Sequence, residues 1–352
     1  MRPFRGLYIV TICLLLSLTA NAQDYFNSDA FWGKLQLDSK RIETGETKID
    51  TAIVVATNRA LQPNDKLRFM SEEADTGIVR YYYVYAYGGK WHVLQAENLQ
   101  KAIGYLPRPN RDWVIYTEGM GKIFTNDIDR GMRLTAQYNV NVLLMDYPSI
   151  RSNTKRIPNY KFAIKHARVA YKDFAPVLDT LQQLRAAHRM GNGKLSLFFH
   201  SMGNNVMSKT VTSGKVALLN DKAWVDNIIL NAPCVPEKRH RRWVDKLIFA
   251  QHVYVHYNPR DHTLQGAHLL SFKKQLGEKV KKPISKQATY INFNSITDRG
   301  HSNFIYLPGR EPAQPASIKH YNTLFHGNEV DVSDTTRYRP TQYHHIGYDL
   351  LP

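Results

Sequence analysis

The stretch that decides the fold is Leu195-Ser196-Leu197-Phe198-Phe199-His200-Ser201-Met202-Gly203-Asn204-Asn205. Its first five residues are mostly apolar and predict a buried β-strand, and a helical pattern follows from Val206. A serine on a tight turn between a strand and a helix has its hydroxyl raised above the sheet edge. There the next backbone N–H and the helix N-terminus can stabilise an oxyanion. We therefore predict Ser201 as a nucleophile and the N–H of Met202 as one oxyanion donor.

The usual sequence of such a turn is Gly-x-Ser-x-Gly. Gly203 supplies the second glycine, whereas Phe199 stands at the position of the first. A small residue at that position keeps neighbouring chains clear of a strained serine, so Phe199 requires a local rearrangement. The alternative interpretation of Ser201 is an ordinary serine in a loop at the end of a strand.

Strand and helix patterns alternate on both sides of this turn from residue 112 onward. The strand candidates are Trp113–Tyr116, Val140–Met145, Leu195–Phe199, Val225–Leu230, Val253–Tyr257 and Tyr290–Phe293. The clearest helical pattern runs from Phe162 to Arg189, with apolar residues at three- and four-residue spacing. The alternation favours an α/β fold in which helices cover both faces of a mainly parallel sheet. In such sheets the reactive groups lie in loops at the carboxyl ends of the strands.

A serine nucleophile needs a base, and the base needs an orienting acid. In this type of fold both follow later strands, in the order Ser, Asp or Glu, His. Asp261 follows the strand that ends at Tyr257, and His301 follows the last strand candidate, directly after Gly300. We predict that His301 takes the proton of Ser201 and that Asp261 fixes the tautomer of His301.

Other titratable residues are weaker candidates. Asp298 lies too close in sequence to His301 to orient it comfortably, and Asp245 lies in a basic helical context that favours an ion pair. His200 is expected to pack at the turn. The remaining histidines have no set of Cys, His or carboxylate ligands around them, so we predict no metal site; they include His252, His256, His344 and His345.

A second oxyanion donor is expected in the loop after an earlier core strand. The strand candidate Trp113–Tyr116 ends in Thr117-Glu118-Gly119-Met120-Gly121. Glycines let a backbone approach a substrate oxygen closely, which places the donor at Gly119 or Met120. An ordinary turn is the alternative, because paired glycines are common in turns.

The N-terminal part of the chain predicts a β-hairpin. Val79 to Tyr87 and Trp91 to Leu94 are two β-rich runs joined through Gly88-Gly89. The tyrosines of the first run could form a sugar-binding face. A solvent-facing antiparallel edge of a larger sheet is the preferred interpretation, because tyrosine has a high β-propensity.

The first 22 residues have the pattern of a secretory signal peptide. Arg2 and Arg5 precede an apolar run from Leu7 to Leu18, and Ala20-Asn21-Ala22 is a small-x-small cleavage site. We predict an exported, periplasmic or secreted protein with a signal peptide over 1–22, one domain over 23–330 and a C-terminal tail over 331–352. An uncleaved anchor is the alternative. After cleavage Cys234 is the only cysteine, which excludes an internal disulfide.

The chain is basic, with 47 Lys and Arg against 30 Asp and Glu. Two clusters stand out, Lys238–Arg242 within a possible short cap at 235–250, and the lysine-rich run from Lys273 to Lys286. They predict contact with an anionic surface or an acidic substrate, with an ordinary solvated face as the alternative. No specific nucleic acid is expected as a partner.

Several further strings occur in a characteristic order. They are Tyr116-Thr117-Glu118-Gly119, Met145-Asp146-Tyr147-Pro148-Ser149, Phe199-His200-Ser201-Met202-Gly203-Asn204, Asn231-Ala232-Pro233, Asn258-Pro259-Arg260-Asp261 and Gly300-His301. Together they resemble the α/β-hydrolase superfamily over about residues 50 to 306. The early string Ala56-Thr57-Asn58-Arg59 resembles the opening of a poorly characterised bacterial esterase-like branch. The resemblance implies an eight-stranded, mostly parallel sheet, a Ser-Asp-His triad and no cofactor.

The chain departs from that family at three positions. Glu118 replaces a histidine in the oxyanion loop and is expected to pair with Lys122 or Arg151. Phe199 replaces a glycine, and Cys234 stands where the branch often has an acidic residue. Cys234 could be a free nucleophile, although a lone thiol at a strand end is more often inert.

These observations favour an exported serine hydrolase that cleaves a small-molecule or lipid-like carboxylic ester through an acyl-enzyme on Ser201. A thioesterase or an acyltransferase would use the same residues. The alternative function is that of a binding protein with a catalytically degenerate hydrolase fold. The departures at Glu118 and Phe199 are the reason for this alternative.

Overall fold

The computed structural model describes residues 26, 28–41, 49, 51–214, 223–309, 312–342 and 346–352. The predicted signal peptide and the pair His344-His345 lie outside these residues. Within them, no helix is long and apolar enough to cross a membrane.

The strands are β1 (Leu35–Asp38), β2 (Ala52–Thr57), β3 (Arg59–Leu61), β4 (Met70–Ala74), β5 (Arg80–Tyr87), β6 (Lys90–Ala96), β7 (Trp113–Thr117), β8 (Asn141–Asp146), β9 (Leu195–His200), β10 (Val225–Asn231), β11 (Ala250–Tyr257), β12 (Ala288–Asn292), β13 (Tyr338–Pro340) and β14 (Tyr348–Leu350). The helices are α1 (Asp29–Trp32), α2 (Leu99–Gly104), α3 (Phe124–Tyr138), α4 (Arg156–Val169), α5 (Tyr171–Ala186), α6 (Asn204–Thr212), α7 (Arg241–Val244), α8 (His262–Ser271) and α9 (Pro315–Phe325).

Twelve of the described strands form one sheet, in the order β1-β6-β5-β2-β8-β7-β9-β10-β11-β12-β14-β13. The eight strands from β2 to β14 in this order all run parallel to one another. The fold is therefore the predicted α/β type, with a block of eight parallel strands in a sheet of twelve. The additional strands lie at both ends of the parallel block, and β3 and β4 form a separate antiparallel pair.

Helices cover both faces of the sheet, as predicted. Val114 and Ile115 are adjacent on β7 and lie in opposite core clusters, so both faces of that strand are buried. Helices α1, α3 and α9 cover one face, and α2 and α4 to α8 cover the other.

The helix predicted from Phe162 to Arg189 is two helices, α4 and α5, that meet at Ala170. Both contribute apolar residues to the same core cluster, among them Ala163 of α4 and Phe174 of α5. Helical periodicity could not detect the break, because the apolar side faces the same sheet before and after it.

The predicted hairpin is present, but its position in the sheet differs from the prediction. Gly88-Gly89 joins β5 and β6, which pair from Tyr81↔Ala96 to Tyr87↔Lys90. Because β5 lies between β6 and β2, the side chains of Tyr82, Tyr83 and Tyr85 are buried. These three tyrosines therefore form neither a solvent-facing edge nor a sugar-binding face.

The segment predicted as a tail, 331–352, contributes two strands to the main sheet. β14 pairs with β12 in parallel and with β13 in antiparallel orientation. The Asn292 amide also donates to Asp349 Oδ1 at 2.8 Å. Each of these strands has three residues, too few for an alternating pattern to be visible in the sequence.

The strand order brings the loops after β7 and β9 together. Between β7 and β8 the chain moves to one side of β7, and after α4 and α5 it returns to the other side as β9. This reversal is a topological switch point, where parallel sheets leave a crevice at the carboxyl ends of adjacent strands. The loops that follow β7 and β9, with Glu118-Gly119 and His200-Ser201, meet there.

The position of β14 predicts a stability effect at the C-terminus. Leu350 is fully buried, whereas Leu269 on α8 is 61% exposed. We expect Leu350→Ala to lower the free energy of unfolding by about 2–5 kcal/mol, because it leaves a cavity in the core. The matched change Leu269→Ala should cost less than about 0.5 kcal/mol in the same denaturant titration. Equal, small effects would show that the C-terminal segment does not belong to the folded core.

Candidate active site

Ser201 lies on a strained turn between β9 and α6. A single 3-10 turn, Ser201–Gly203, joins the strand to the helix. The φ angle of Ser201 is +50°, a conformation that residues other than glycine seldom adopt and that is often found at functional sites. Only 6% of the surface of Ser201 is exposed to solvent. The local backbone therefore has the strain expected of the predicted strand-to-helix turn.

Two glycines allow the loops after β7 and β9 to touch. A Cβ atom on Gly203 would lie 2.6 Å from the carbonyl oxygen of Glu118 and 2.7 Å from that of Thr117. A Cβ atom on Gly119 would lie 2.7 Å from Ser201 Cβ, 3.2 Å from Ser201 Oγ and 3.3 Å from the backbone nitrogen of Met202. No larger residue fits at either position, so the glycines set the distance between the serine and the β7 loop.

Asp261 and His301 form a close pair. His301 Nδ1 lies 2.6 Å from Asp261 Oδ2, and the Asp261 side chain is almost fully buried. The other carboxylate oxygen of Asp261 accepts the N–H of Leu264 at 3.0 Å and caps α8. Asp261 is thus held in place by the helix while it orients the imidazole.

The weaker acid candidates have other partners. Asp298 pairs with Arg260 at 2.9 Å, and Asp245 pairs with Arg241 at 2.8 Å, as the basic context of Asp245 predicted. Neither is paired with His301. The acid that the structure brings to His301 is the one preferred from the sequence.

Ser201 and His301 are not joined by a hydrogen bond in the described residues. Their closeness is indirect: the ring of His200, the residue before Ser201, has its centroid 4.7 Å from that of His301. The Asp261–His301 pair and the strained Ser201 are therefore neighbours in the structure, without a direct hydrogen bond between them.

Gly119 was one of the two positions predicted for the second oxyanion donor, the other being Met120. The N–H of Gly119 donates to Oε1 of Glu118 at 2.7 Å, so it is already occupied. The N–H groups of Met202 and Met120 remain the candidates for oxyanion donors. The loop beyond them is fixed by Ser149, whose carbonyl accepts the N–H of Gly121 at 2.9 Å.

Residues 95–304, more than half of the chain, match the model of the family described as "Alpha/beta hydrolase of unknown function (DUF900)". The chain belongs to this α/β hydrolase family. A search of curated protein sequences finds no match. A solved structure described as "Structure of arylesterase" is similar over 82% of this chain and 89% of that chain, with 9% sequence identity and a TM-score of 0.31.

This α/β hydrolase compensates the buried carboxylate of Glu118 from several directions. The Tyr116 hydroxyl donates to Oε2 at 2.5 Å, and Arg130 Nη1 lies 3.6 Å from the same oxygen. Burial opposes ionisation, but the charges of Arg130 and Lys122 and the N–H of Gly119 together hold the pKa of Glu118 below its ordinary value. Lys122 and Arg151 were the partners predicted for Glu118: the charge of Lys122 lowers the pKa of Glu118, whereas Arg151 pairs with Glu73. Arg130 on α3 is a further partner, which sequence spacing does not reveal.

His200 is a buried, neutral neighbour of the site. Burial holds its pKa well below the ordinary value, against the opposing effect of Glu118. The Asn231 amide donates to His200 Nδ1 at 2.9 Å, an orientation fixed because Asn231 Oδ1 accepts the Tyr321 hydroxyl at 2.6 Å. The imidazole proton is then on Nε2, which lies 3.6 Å from Glu118 Oε1. His200 therefore packs between the two loops, as predicted.

Asn204, whose role the sequence did not predict, fixes the turn. Its side-chain amide donates to the carbonyls of Phe199, Ser201 and Asn231 at 2.9, 3.0 and 3.2 Å. The side chain of Phe199 is fully buried in the core. An amide at the first position of the helix after the serine is the sequence signal that could have indicated this role.

Arg59 also has a role that the sequence did not predict. This arginine is fully buried, and its Nε donates to both carboxylate oxygens of Asp146, at 3.0 and 2.8 Å. Its Nη2 donates to the carbonyls of Lys122 and Tyr147 at 3.1 and 2.9 Å. Arg59 therefore ties the loop after β7 to the end of β8.

Cys234 is a structural residue. It is buried, and burial followed by the nearby Asp261 raises the pKa of its thiol to about 12. Its backbone N–H donates to the carbonyl of Ser201 at 3.0 Å. A thiol with so high a pKa is a poor nucleophile at neutral pH.

In the part of the chain that the structure describes, no group of three or more His, Cys, Asp or Glu residues could hold a metal ion.

The ionised state of Glu118 predicts a pH-dependent stability difference. A carboxylate whose pKa is lowered by folding stabilises the protein above its unfolded pKa, about 4.3, and loses this contribution as the pH falls toward the folded value. We expect Glu118→Gln to lower the free energy of unfolding by about 3 kcal/mol near neutral pH, because Arg130 is left without its counter-charge. Below about pH 4.3 the difference from the native chain should shrink.

Glu329→Gln is the matched control, since the Glu329 side chain is 68% exposed. It should change the free energy of unfolding by less than about 0.5 kcal/mol. A pH-independent difference for Glu118→Gln would contradict an ionised Glu118 in the folded protein.

Proposed function

We propose that this α/β hydrolase is an exported serine hydrolase that cleaves carboxylic esters through an acyl-enzyme on Ser201. The observation that carries the proposal is the 2.6 Å pair of Asp261 and His301 beside a serine held at a φ of +50°. A buried carboxylate on Nδ1 fixes the histidine tautomer that leaves Nε2 free to accept a proton.

The reaction has two steps in this proposal. Ser201 Oγ attacks the ester carbonyl carbon and transfers its proton to His301 Nε2, and the carbonyl oxygen becomes an oxyanion near the N–H groups of Met202 and Met120. The intermediate collapses, the proton passes from His301 to the departing alcohol, and the acyl group stays on Ser201. Water then attacks the acyl-enzyme with His301 as base, which releases the acid and restores Ser201.

The proposal requires Ser201 Oγ and His301 Nε2 to come within hydrogen-bond distance when substrate binds. Catalytic hydrogen bonds are often long in the absence of substrate and tighten in the complex. The distance of 4.7 Å between the ring centroids of His301 and His200 supports a short path, because Ser201 follows His200 directly. Export is supported by the basic, apolar and small-residue order of residues 1–22.

A second candidate is a catalytically inactive hydrolase fold that binds a ligand. One observation favours it: Glu118 places a negative charge beside the oxyanion site and occupies the N–H of Gly119. The two candidates differ in a single property, which is whether Ser201 forms a covalent acyl intermediate.

The test is hydrolysis of p-nitrophenyl esters from acetate to palmitate, together with labelling by a fluorophosphonate. We expect Ser201→Ala to lower kcat/KM by at least about 10³-fold and to abolish labelling, because the nucleophile is removed. Ser208→Ala, on the same helix but outside the site, should retain both properties. The chain-length optimum would then give the size of the acyl pocket.

Hydrolysis that survives Ser201→Ala would exclude Ser201 as the nucleophile. Absence of hydrolysis and labelling in the native chain would instead favour the inactive binding protein. A thioester series measured with the same variants distinguishes a thioesterase from an esterase.

A further inference from the structure

Two basic segments, well separated in sequence, line one cavity. The cavity has a volume of about 770 Å³ and lies between the connection after β10 and the loop before β12. Six cationic side chains line it: Lys238, Arg239, Arg241, Arg242, Lys281 and Lys282. The lysine-rich run and the basic cluster that the sequence analysis treated separately therefore contribute to a single concave surface.

The positive charge of this cavity is not balanced by protein carboxylates. Only two acidic residues line it, Glu237 and Asp245. Asp245 is already engaged by Arg241 at 2.8 Å and by the hydroxyl of Ser285. Within the described chain, the other five cations have no ion-pair partner. Like charges gathered in a concavity repel one another and attract anions.

The base of the cavity is rigid. His240 is buried; its Nδ1–H donates to the carbonyl of Glu237 at 2.8 Å, and its Nε2 accepts the Tyr290 hydroxyl at 2.9 Å. The same hydroxyl accepts the N–H of Ser285 at 3.1 Å. One tyrosine thus joins the two basic segments, so their cations converge before any ligand binds, which reduces the entropy lost on binding.

The backbone is also strained at the cavity. Arg239 has a φ of +67°, a conformation that is unfavourable for a long side chain. Such strain persists where the surrounding structure enforces it, and it is concentrated at binding sites. Arg239 is exposed and lies between Lys238 and the buried His240, so the strained turn presents its cation to solvent at the cavity.

We propose that this cavity binds a ligand that carries several phosphate groups, independently of the proposed ester hydrolysis. Guanidinium groups match the geometry of phosphate oxygens, and ammonium groups supply additional charge. The volume is larger than one phosphate requires. The lining contains no Phe, Tyr or Trp on which nucleic-acid bases could stack, which favours a compact polyphosphate or phosphorylated head group over a single-stranded nucleic acid.

The probe is inorganic tripolyphosphate, measured with the full chain by isothermal titration calorimetry. We expect Lys238→Glu combined with Lys281→Glu, one residue from each segment, to weaken binding at least about tenfold, because two attractions become repulsions. The matched control is Lys161→Glu combined with Lys172→Glu, which changes the net charge equally on exposed positions of α4 and α5. The control should bind within about twofold of the native chain.

Thermal unfolding of each variant confirms that it is folded. If the double Glu variant does not fold, Lys238→Gln with Lys281→Gln replaces it in the same titration. Equal weakening by the control pair, or no binding of tripolyphosphate by the native chain, would overturn the proposal. Preferential binding of a single-stranded oligonucleotide would overturn it as well.

A second experiment distinguishes the source of the phosphate. Phosphatidylcholine vesicles that contain phosphatidic acid are sedimented with the native chain and both pairs of variants. Binding that is lost only in the Lys238 and Lys281 variant assigns the site to a lipid head group. Tripolyphosphate binding without vesicle binding assigns it to a soluble polyphosphate.

Discussion

The site depends on one steric constraint, the direct contact between the loop after β7 and the turn after β9. Gly203 faces the carbonyl oxygens of Thr117 and Glu118, and Gly119 faces Ser201. Both contacts lie between adjacent parallel strands, whose spacing the sheet fixes at about 4.8 Å. A Cβ atom at either glycine would separate the loops, and the Met202 N–H would then no longer face the same point as the β7 loop. The position of the serine is therefore a consequence of sheet geometry.

This contact brings polar groups into the interior, and the structure compensates them with charge. Glu118 lies against Arg130, and Arg59 lies against Asp146 while it also binds the carbonyl of Lys122 in the β7 loop. Buried ion pairs of this kind add little net stability, but the loss of one partner leaves an uncompensated charge. Arg59 fixes the orientation of the loop instead, because its guanidinium binds the carboxylate of Asp146 and the carbonyls of Lys122 and Tyr147. The same buried ion pairs therefore hold the site in place and cause its desolvation cost.

The sequence predicted the parts of the site that depend on chain order and missed those that depend on side-chain direction. Asp261 and His301 follow later strands, so the topology that brings strand ends together also brings these two side chains together. The occupation of the Gly119 N–H by Glu118 depends on one rotamer, and Asn204 acts through three carbonyls that come together only in the folded chain. The additional strands β1, β13 and β14 escaped notice because three or four residues show no periodicity.

The connection after β10 links the two proposed sites. At its start the N–H of Cys234 holds the carbonyl of Ser201 at 3.0 Å, and further along the N–H of Glu237 donates to the carbonyl of Lys274 at 2.8 Å. The cations of the basic cavity begin at the next residue, Lys238. Between these points the backbone N–H of Leu276 donates to the carbonyl of Val235 at 2.8 Å, which fixes the middle of the segment. A single stretch of hydrogen-bonded backbone thus supports the strained serine at one end and the cavity at the other.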